Sequence, residues 1–150
     1  MPSVNYCSMH SHESSPVKNL ILDIARKERY PPIMSDRCFF SSYDGESIVR
    51  EGVYHYLRQL KMTGFDTVFI SKSNAISGSD LKKLAGYCIR IISRENRGYD
   101  FYSWKVGLEE YPQHREHAGF LLANDSVYGP LFDFSDTSLN WKIMMSISSA

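Results

Sequence analysis

Between residues 37 and 123 the chain alternates short apolar runs with segments whose apolar residues recur at helical spacing, a pattern that few folds accommodate. The runs RCFFSSY (37–43), DTVFIS (66–71), CIRIIS (88–93) and FLLA (120–123) are β-branched or aromatic and bounded by turn signals. Runs that stay apolar along most of their length suit strands buried on both faces. Within residues 46–63, Val49, Val53, Tyr56, Leu57 and Leu60 share one helical face, Lys61 occupies the last turn, and Gly64 stands where a C-cap belongs. Ser79 caps a short second helix carrying Leu81 and Leu84 and ending at Gly86. Phe101, Trp104 and Leu108 mark a third, stopped by Pro112. Strand and helix in this order predict an α/β fold, a mainly parallel sheet with helices on both faces.

Ahead of this core, residues 1–15 are polar and Ser-rich and read as a disordered tail. Ser15 and Pro16 form an N-cap and a first helical position, with Val17, Leu20, Ile21 and Ile24 following at helical spacing and Pro31 and Pro32 stopping the helix.

A length of 150 residues at 43% hydrophobic content supports one domain with its own core. Seventeen basic residues balance seventeen acidic ones, so overall charge draws the chain to neither nucleic acid nor an anionic bilayer. The N-terminus lacks the basic start and apolar run of an export signal, and no apolar run approaches the roughly 20 residues that span a bilayer. A soluble, cytoplasmic chain without a transmembrane segment is expected. Cys7, Cys38 and Cys88 are too scattered for a zinc site, and Cys38, inside an apolar run, reads as a small buried hydrophobe. His10 and His12 belong to the tail, while His55, His114 and His117 read as surface residues. The motifs of dinucleotide oxidoreductases, P-loop enzymes, zinc proteases and nucleophile-elbow hydrolases are missing.

In an open parallel sheet the ligand crevice lies beyond the carboxyl ends of the strands. Loops 41–44, 71–74, 94–100 and 124–126 gather there, and they are polar. The run RENRGYDFYSWKVGL sets two arginines, an asparagine and Gly98 between a strand and a helix. Arginine offers a planar fork of donors, glycine admits close backbone approach, and a helix start presents free amides, so this loop can hold phosphate. Spacing alone equally allows a solvated loop with Asp100 as a helix cap. In FLLANDSVYGPL an apolar strand ends in Asn124, Asp125 and Ser126. Asp125 can hold a Mg²⁺ or Mn²⁺ ion bridging a diphosphate, or Asn124 and Asp125 can satisfy turn amides.

Taken together, RENRGYDFYSWKVGL and LLANDSVYGPL resemble the paired signature of the rhamnan synthesis protein F family. CFFSSYDGESIVREGVYHYLRQLKMTGFDTVFIS is similar to that family's opening strand, long helix and second strand, and the resemblance covers residues 37–134. It implies a Rossmann-like, GT-A-type nucleotide-binding half of a glycosyltransferase that builds bacterial rhamnose-containing polysaccharide. The implied donor is dTDP-L-rhamnose and the implied acceptor a lipid-linked glycan met at the inner face of the cell membrane. By resemblance Ser41, Tyr43 and Asp44 contact the nucleoside, with Ser71 beside them at the second strand end. Arg94, Asn96, Gly98 and Asp100 form the donor-side loop, and Lys105 reaches a phosphate from the helix. Asn124, Asp125 and Ser126 take the place of the acidic motif, with Asp125 as the ligand of Mg²⁺ or Mn²⁺; metal-independent transfer is the alternative. The domain is expected over residues 16–134, with 135–150 an atypical tail where later strands and an acceptor-binding part, including the catalytic base, would follow. A truncated binding module without transferase activity, or a nucleotide-binding regulator, are the competing expectations.

Overall fold

The computed structural model describes residues 21–24, 36–116 and 120–126. Expectations for the N-terminal tail, for Pro16, Pro31 and Pro32, for Cys7 and for residues 135–150 lie outside them. The described elements are β1 (Ile21–Ile24), β2 (Asp36–Ser42), α1 (Glu51–Met62), β3 (Phe65–Ser71), α2 (Gly78–Leu84), β4 (Cys88–Arg94), α3 (Tyr99–Glu110), a 3₁₀ turn (Pro112–Glu116) and β5 (Phe120–Asn124).

They form one five-stranded sheet in the order β1-β4-β3-β2-β5. The pairs β2–β3, β2–β5 and β3–β4 are parallel, and β1 runs antiparallel along β4. Counting only the parallel strands, the order is third, second, first, fourth, the Rossmann-like arrangement in which the chain reverses direction across the sheet between its first and fourth strands. That reversal falls at β2 and β5, where Ser41 pairs with Asn124.

Both sheet faces are covered, which suits the apolar middles of β2 and β3. Cys38 and Phe40 of β2 and Phe69 of β3 pack with Val53, Tyr54, Leu57 and Leu60 of α1 and Leu84 of α2. Phe39, Val68, Ile70 and Ile92 point the opposite way and meet Val106 of α3 and Tyr111. Each such fully buried apolar side chain contributes about 1.5–3 kcal/mol by leaving water. Gly107 lets α3 approach the sheet: a Cβ there would lie 2.7 Å from Phe39 Cδ1 and 2.9 Å from Ile70 Cδ1.

Two elements differ from the expectation drawn from periodicity. The helix expected from Pro16 onward is contradicted at residues 21–24, which form β1; Ile21 and Ile24 pack on the α3 face of the sheet. Pairing to the edge of β4 there outweighs helical spacing. Helix α1 begins at Glu51 rather than Glu46 because Asp44 Oδ1 takes the amides of Glu46 and Ile48, at 2.9 and 3.4 Å, and Ser47 adopts φ 60°. An aspartate bound to amides two and four residues on stabilises a turn in place of a helix start. In α2 the cap is Ser77, whose Oγ accepts from Asp80 N, not Ser79. Cys38 and Cys88 form no disulfide and are buried, and burial pushes the Cys38 thiol well up.

Candidate functional site

At the carboxyl ends of the parallel strands, three chain segments converge on the side chain of Asp100 in the first turn of α3. Ser41 Oγ, on β2, donates to Asp100 Oδ1 at 2.7 Å. Lys72 Nζ, just past β3, donates to the same oxygen at 2.7 Å. Asn124 Nδ2, at the end of β5, donates to Oδ2 at 2.9 Å. Burial raises the Asp100 pKa, but these donors and the Lys72 charge outweigh it and hold the carboxyl below its usual range. Asp100 therefore ties β2, β3 and β5 to α3 and stays ionised.

A second carboxylate closes the sheet's reversal point. Asp125 Oδ2 accepts from Ser42 Oγ at 2.7 Å and from Tyr43 N at 3.0 Å, and Asp125 N donates to Ser41 O at 3.2 Å. Its Oδ1 has no hydrogen-bond partner among the described residues. Asp44 is engaged on both oxygens, with Arg50 Nε donating to Oδ2 at 2.6 Å. The Glu46 amide, with the Ile48 amide and the Arg50 guanidinium, lowers the Asp44 pKa against a burial push.

These residues border an open cleft of about 1040 Å³ at the strand ends. Ser42, Tyr43, Asp44, Lys72, Tyr99, Asp100, Asp125 and Ser126 line one part of it. Phe40, Ile48, Val53 and Tyr56 give the other part an apolar wall, and Arg50, at the N-cap of α1, and Arg58 add cations beside His55.

Of the residues singled out by sequence, Tyr43, Asp44, Asp100, Asp125 and Ser126 line this cleft. Ser41 and Asn124 stand behind it, holding Asp100. Ser71 is buried, and its Oγ accepts from Ser73 N at 3.1 Å. Arg94, Asn96, Gly98 and Lys105 are not among the lining residues. Arg94 is fully buried: Nη1 donates to Ser103 Oγ at 2.8 Å and to Tyr99 O at 3.4 Å, and Nη2 donates to Arg97 O. Burial pulls its pKa down, partly offset by Asp100 and Glu95. Its geometry holds the loop from within. Asn96 is exposed, and Lys105, also exposed, has Nζ 5.7 Å from the Tyr102 ring centroid. Gly98 serves the backbone, with φ 74° at the N-cap of α3 and Tyr102 Cδ2 2.3 Å from where a Cβ would stand. Trp104, which marks the third helix in the sequence, is partly buried and its Nε1 donates to Ala123 O at 3.0 Å.

Sequence reasoning passed over Lys72, Ser42 and Tyr99. Lys72 is 8% exposed and Tyr99 is 84% exposed with φ 53°. The signal for Lys72 was its place directly after a core strand, in a loop already marked as polar.

Among the described residues no group of three or more His, Cys, Asp or Glu side chains could hold a metal, and no helix is long and apolar enough to cross a membrane. A Mg²⁺ or Mn²⁺ ion that takes most of its oxygens from water and phosphate needs only one or two carboxylate oxygens from protein. Asp125 Oδ1 fits that lesser demand.

Comparison with known proteins bears on the same segments. The family model of rhamnan synthesis protein F matches residues 67–147, from β3 through the Asn124-Asp125-Ser126 segment. The match extends beyond Phe134, where the sequence resemblance was expected to stop, and starts later than residue 37. An uncharacterized protein, y4gN of Sinorhizobium fredii, is 29% identical over 101 residues, which cover 67% of this chain and 26% of that protein. The chain thus spans about a quarter of the length of this curated relative. No solved structure matches. With a family match over more than half of its residues, the chain belongs to the rhamnan synthesis protein F family.

Proposed function

We propose that the chain is the nucleotide-sugar-binding half of a glycosyltransferase, taking a dTDP-L-rhamnose-type donor for transfer to a lipid-linked glycan. Family membership ties it to rhamnan synthesis and so to polysaccharide biosynthesis; the donor, the acceptor and the transfer step are our reading. The observation that carries it is the cleft at the sheet's reversal point, where Asp125 after β5 bonds the end of β2. Open sheets of this topology bind ligands at that point. In this reading the Tyr43 ring and the 41–44 segment border the nucleoside. Asp125 Oδ1, with the Ser126 hydroxyl nearby in sequence, would hold Mg²⁺ or Mn²⁺. When bound, the ion would neutralise charge on the departing diphosphate. The chain's own part is to fix Asp125 through Ser42 and Tyr43 N, so that one carboxylate oxygen is oriented before a ligand arrives. We assign no catalytic base among the described residues; in this reading the base belongs to the acceptor-binding part of the enzyme, and the acceptor is met at the inner face of the membrane.

Calorimetric titration of the purified chain with dTDP-L-rhamnose, with and without Mn²⁺, tests the reading beside dTDP, UDP-glucose and an Asp125→Asn variant. Selective binding of the dTDP-sugar, with a manganese enhancement that the variant loses, supports it. A folded chain that binds none of these ligands is a non-catalytic module of the same fold, and the donor reading is then wrong.

A further inference from the structure

Lys72 is the one cation in the lining of the cleft that is more than nine-tenths buried. Its backbone amide donates to Ser42 O at 2.9 Å, which fixes the residue against the end of β2. Its ammonium carries three N–H donors. One reaches Asp100 Oδ1 at 2.7 Å, and the described residues offer no acceptor for the other two. The Tyr43 ring centroid, 5.9 Å from Nζ, gives partial electrostatic compensation but accepts no regular hydrogen bond.

This arrangement leaves two N–H donors of a buried ammonium in the lining of the cleft. Asp100 does not serve Lys72 alone, because Ser41 and Asn124 also donate to its two oxygens. A buried ammonium with two unmet donors is costly unless another acceptor satisfies it. The remaining cations are poorer candidates: Arg50 pairs with Asp44 and Glu46 and is 66% exposed, while Arg58 lies exposed on α1. Arg94, the cation most suggestive in the sequence, is turned inward to Ser103, Tyr99 O and Arg97 O.

We propose that Lys72 is the phosphate anchor of the cleft, its two remaining N–H groups donating to non-bridging oxygens of a diphosphate, with Asp100 as the positioning residue that holds the ammonium in place. The diphosphate part stands on the geometry of Lys72; its identification with a nucleoside diphosphate rests on the donor reading above.

The test uses inorganic pyrophosphate and dTDP as probes on the full chain. Wild type should bind both, and Lys72→Met should bind both about tenfold or more weakly, as expected for loss of a charge-assisted hydrogen bond, while Lys72→Arg retains most of the affinity. Circular dichroism verifies that the variants fold. Because Lys72→Met leaves Asp100 without its countercharge, a second measurement is made on unaltered protein. Acetylation of Lys72, followed by mass spectrometry, should slow several-fold in saturating pyrophosphate relative to sodium chloride of equal ionic strength. Equal affinities of wild type and folded Lys72→Met, or acetylation unaffected by pyrophosphate, overturn the anchor while leaving dTDP binding free to stand. Lys72-dependent pyrophosphate binding with no gain for dTDP supports the anchor and removes the nucleoside part of the donor reading. Binding of neither probe by folded wild type overturns both.

Discussion

Lys72 Nζ lies 2.7 Å from Asp100 Oδ1, so a single ion pair joins the end of β3 to the first turn of α3. The Asp100 pKa is lowered in the folded chain, and an unfolded aspartate titrates near about 3.9. A lowered pKa means that the folded state releases this proton more readily than the unfolded state. The contribution is therefore complete above about pH 4 and is lost as pH falls through the lower folded value. Asp100→Asn removes the charge opposite a buried ammonium and should cost roughly 2–3 kcal/mol at neutral pH, less than a fully buried pair because Asp100 is partly exposed. Urea unfolding across pH should show the gap between wild type and variant narrowing below about pH 4. A gap independent of pH would mean that the carboxylate charge is not what stabilises the junction.

Gly107 sets the depth of α3 on the sheet. In Gly107→Ala the added methyl meets Phe39 and Ile70, both fully buried, at under 3 Å. Overpacking costs about 1–3 kcal/mol, whereas replacing an internal helical glycine by alanine gains about 1 kcal/mol. The clash wins because neither neighbour can swing into solvent, and a net loss of roughly 1–2 kcal/mol is expected by denaturant titration. A stabilised variant would show that α3 can lift from β2 and β3 without penalty.

Arg94 and Asn96 were read together as ligand contacts, yet they should behave oppositely. Arg94→Met removes the donors to Ser103, Tyr99 O and Arg97 O and should lower stability by about 2–3 kcal/mol. Asn96→Ala, at an exposed position, should change stability by less than about 0.5 kcal/mol. Thermal melts of the two variants decide the matter; an Arg94→Met chain as stable as wild type would return Arg94 to the ligand.

The sheet was legible because β2 and β3 are buried and β4 and β5 are also written largely as apolar runs, and α1 because Val53, Tyr56, Leu57 and Leu60 fall on one helical face. Residues 21–24 were not, since ILDI fits a helical face as readily as an edge strand, and the edge of β4 that selects between them is seventy residues away in sequence. The cleft's carboxylates were found because strand ends in parallel sheets gather there by rule. Lys72 escaped because a lysine after a strand ordinarily faces water; only the packing of α3 on β2 and β3 brings Asp100 to its amine. Arg94 misled for the converse reason. Two arginines ahead of a glycine suggest phosphate, but the last residue of β4 still belongs to the sheet and points its guanidinium beneath the loop.

Tyr99 separates stability from binding more sharply than any other residue of the cleft. It is 84% exposed, lines the cleft, and holds φ 53°, a left-handed conformation that costs a non-glycine residue roughly 1–2 kcal/mol. Arg94, through the carbonyls of Arg97 and Tyr99, fixes the backbone that imposes it. Tyr99→Gly relieves the strain, and the entropy of an added glycine offsets about 0.5–1 kcal/mol of that relief. Stability should therefore be unchanged or rise by up to about 1 kcal/mol, since the ring buries almost nothing. Affinity for dTDP should fall, by roughly fivefold or more if the ring stacks on the base. Urea unfolding and calorimetry on the same preparation read both quantities. Loss of stability with binding intact would make Tyr99 a structural residue, whereas unchanged stability with weakened binding makes the strained turn a device that holds an aromatic ring out for the ligand.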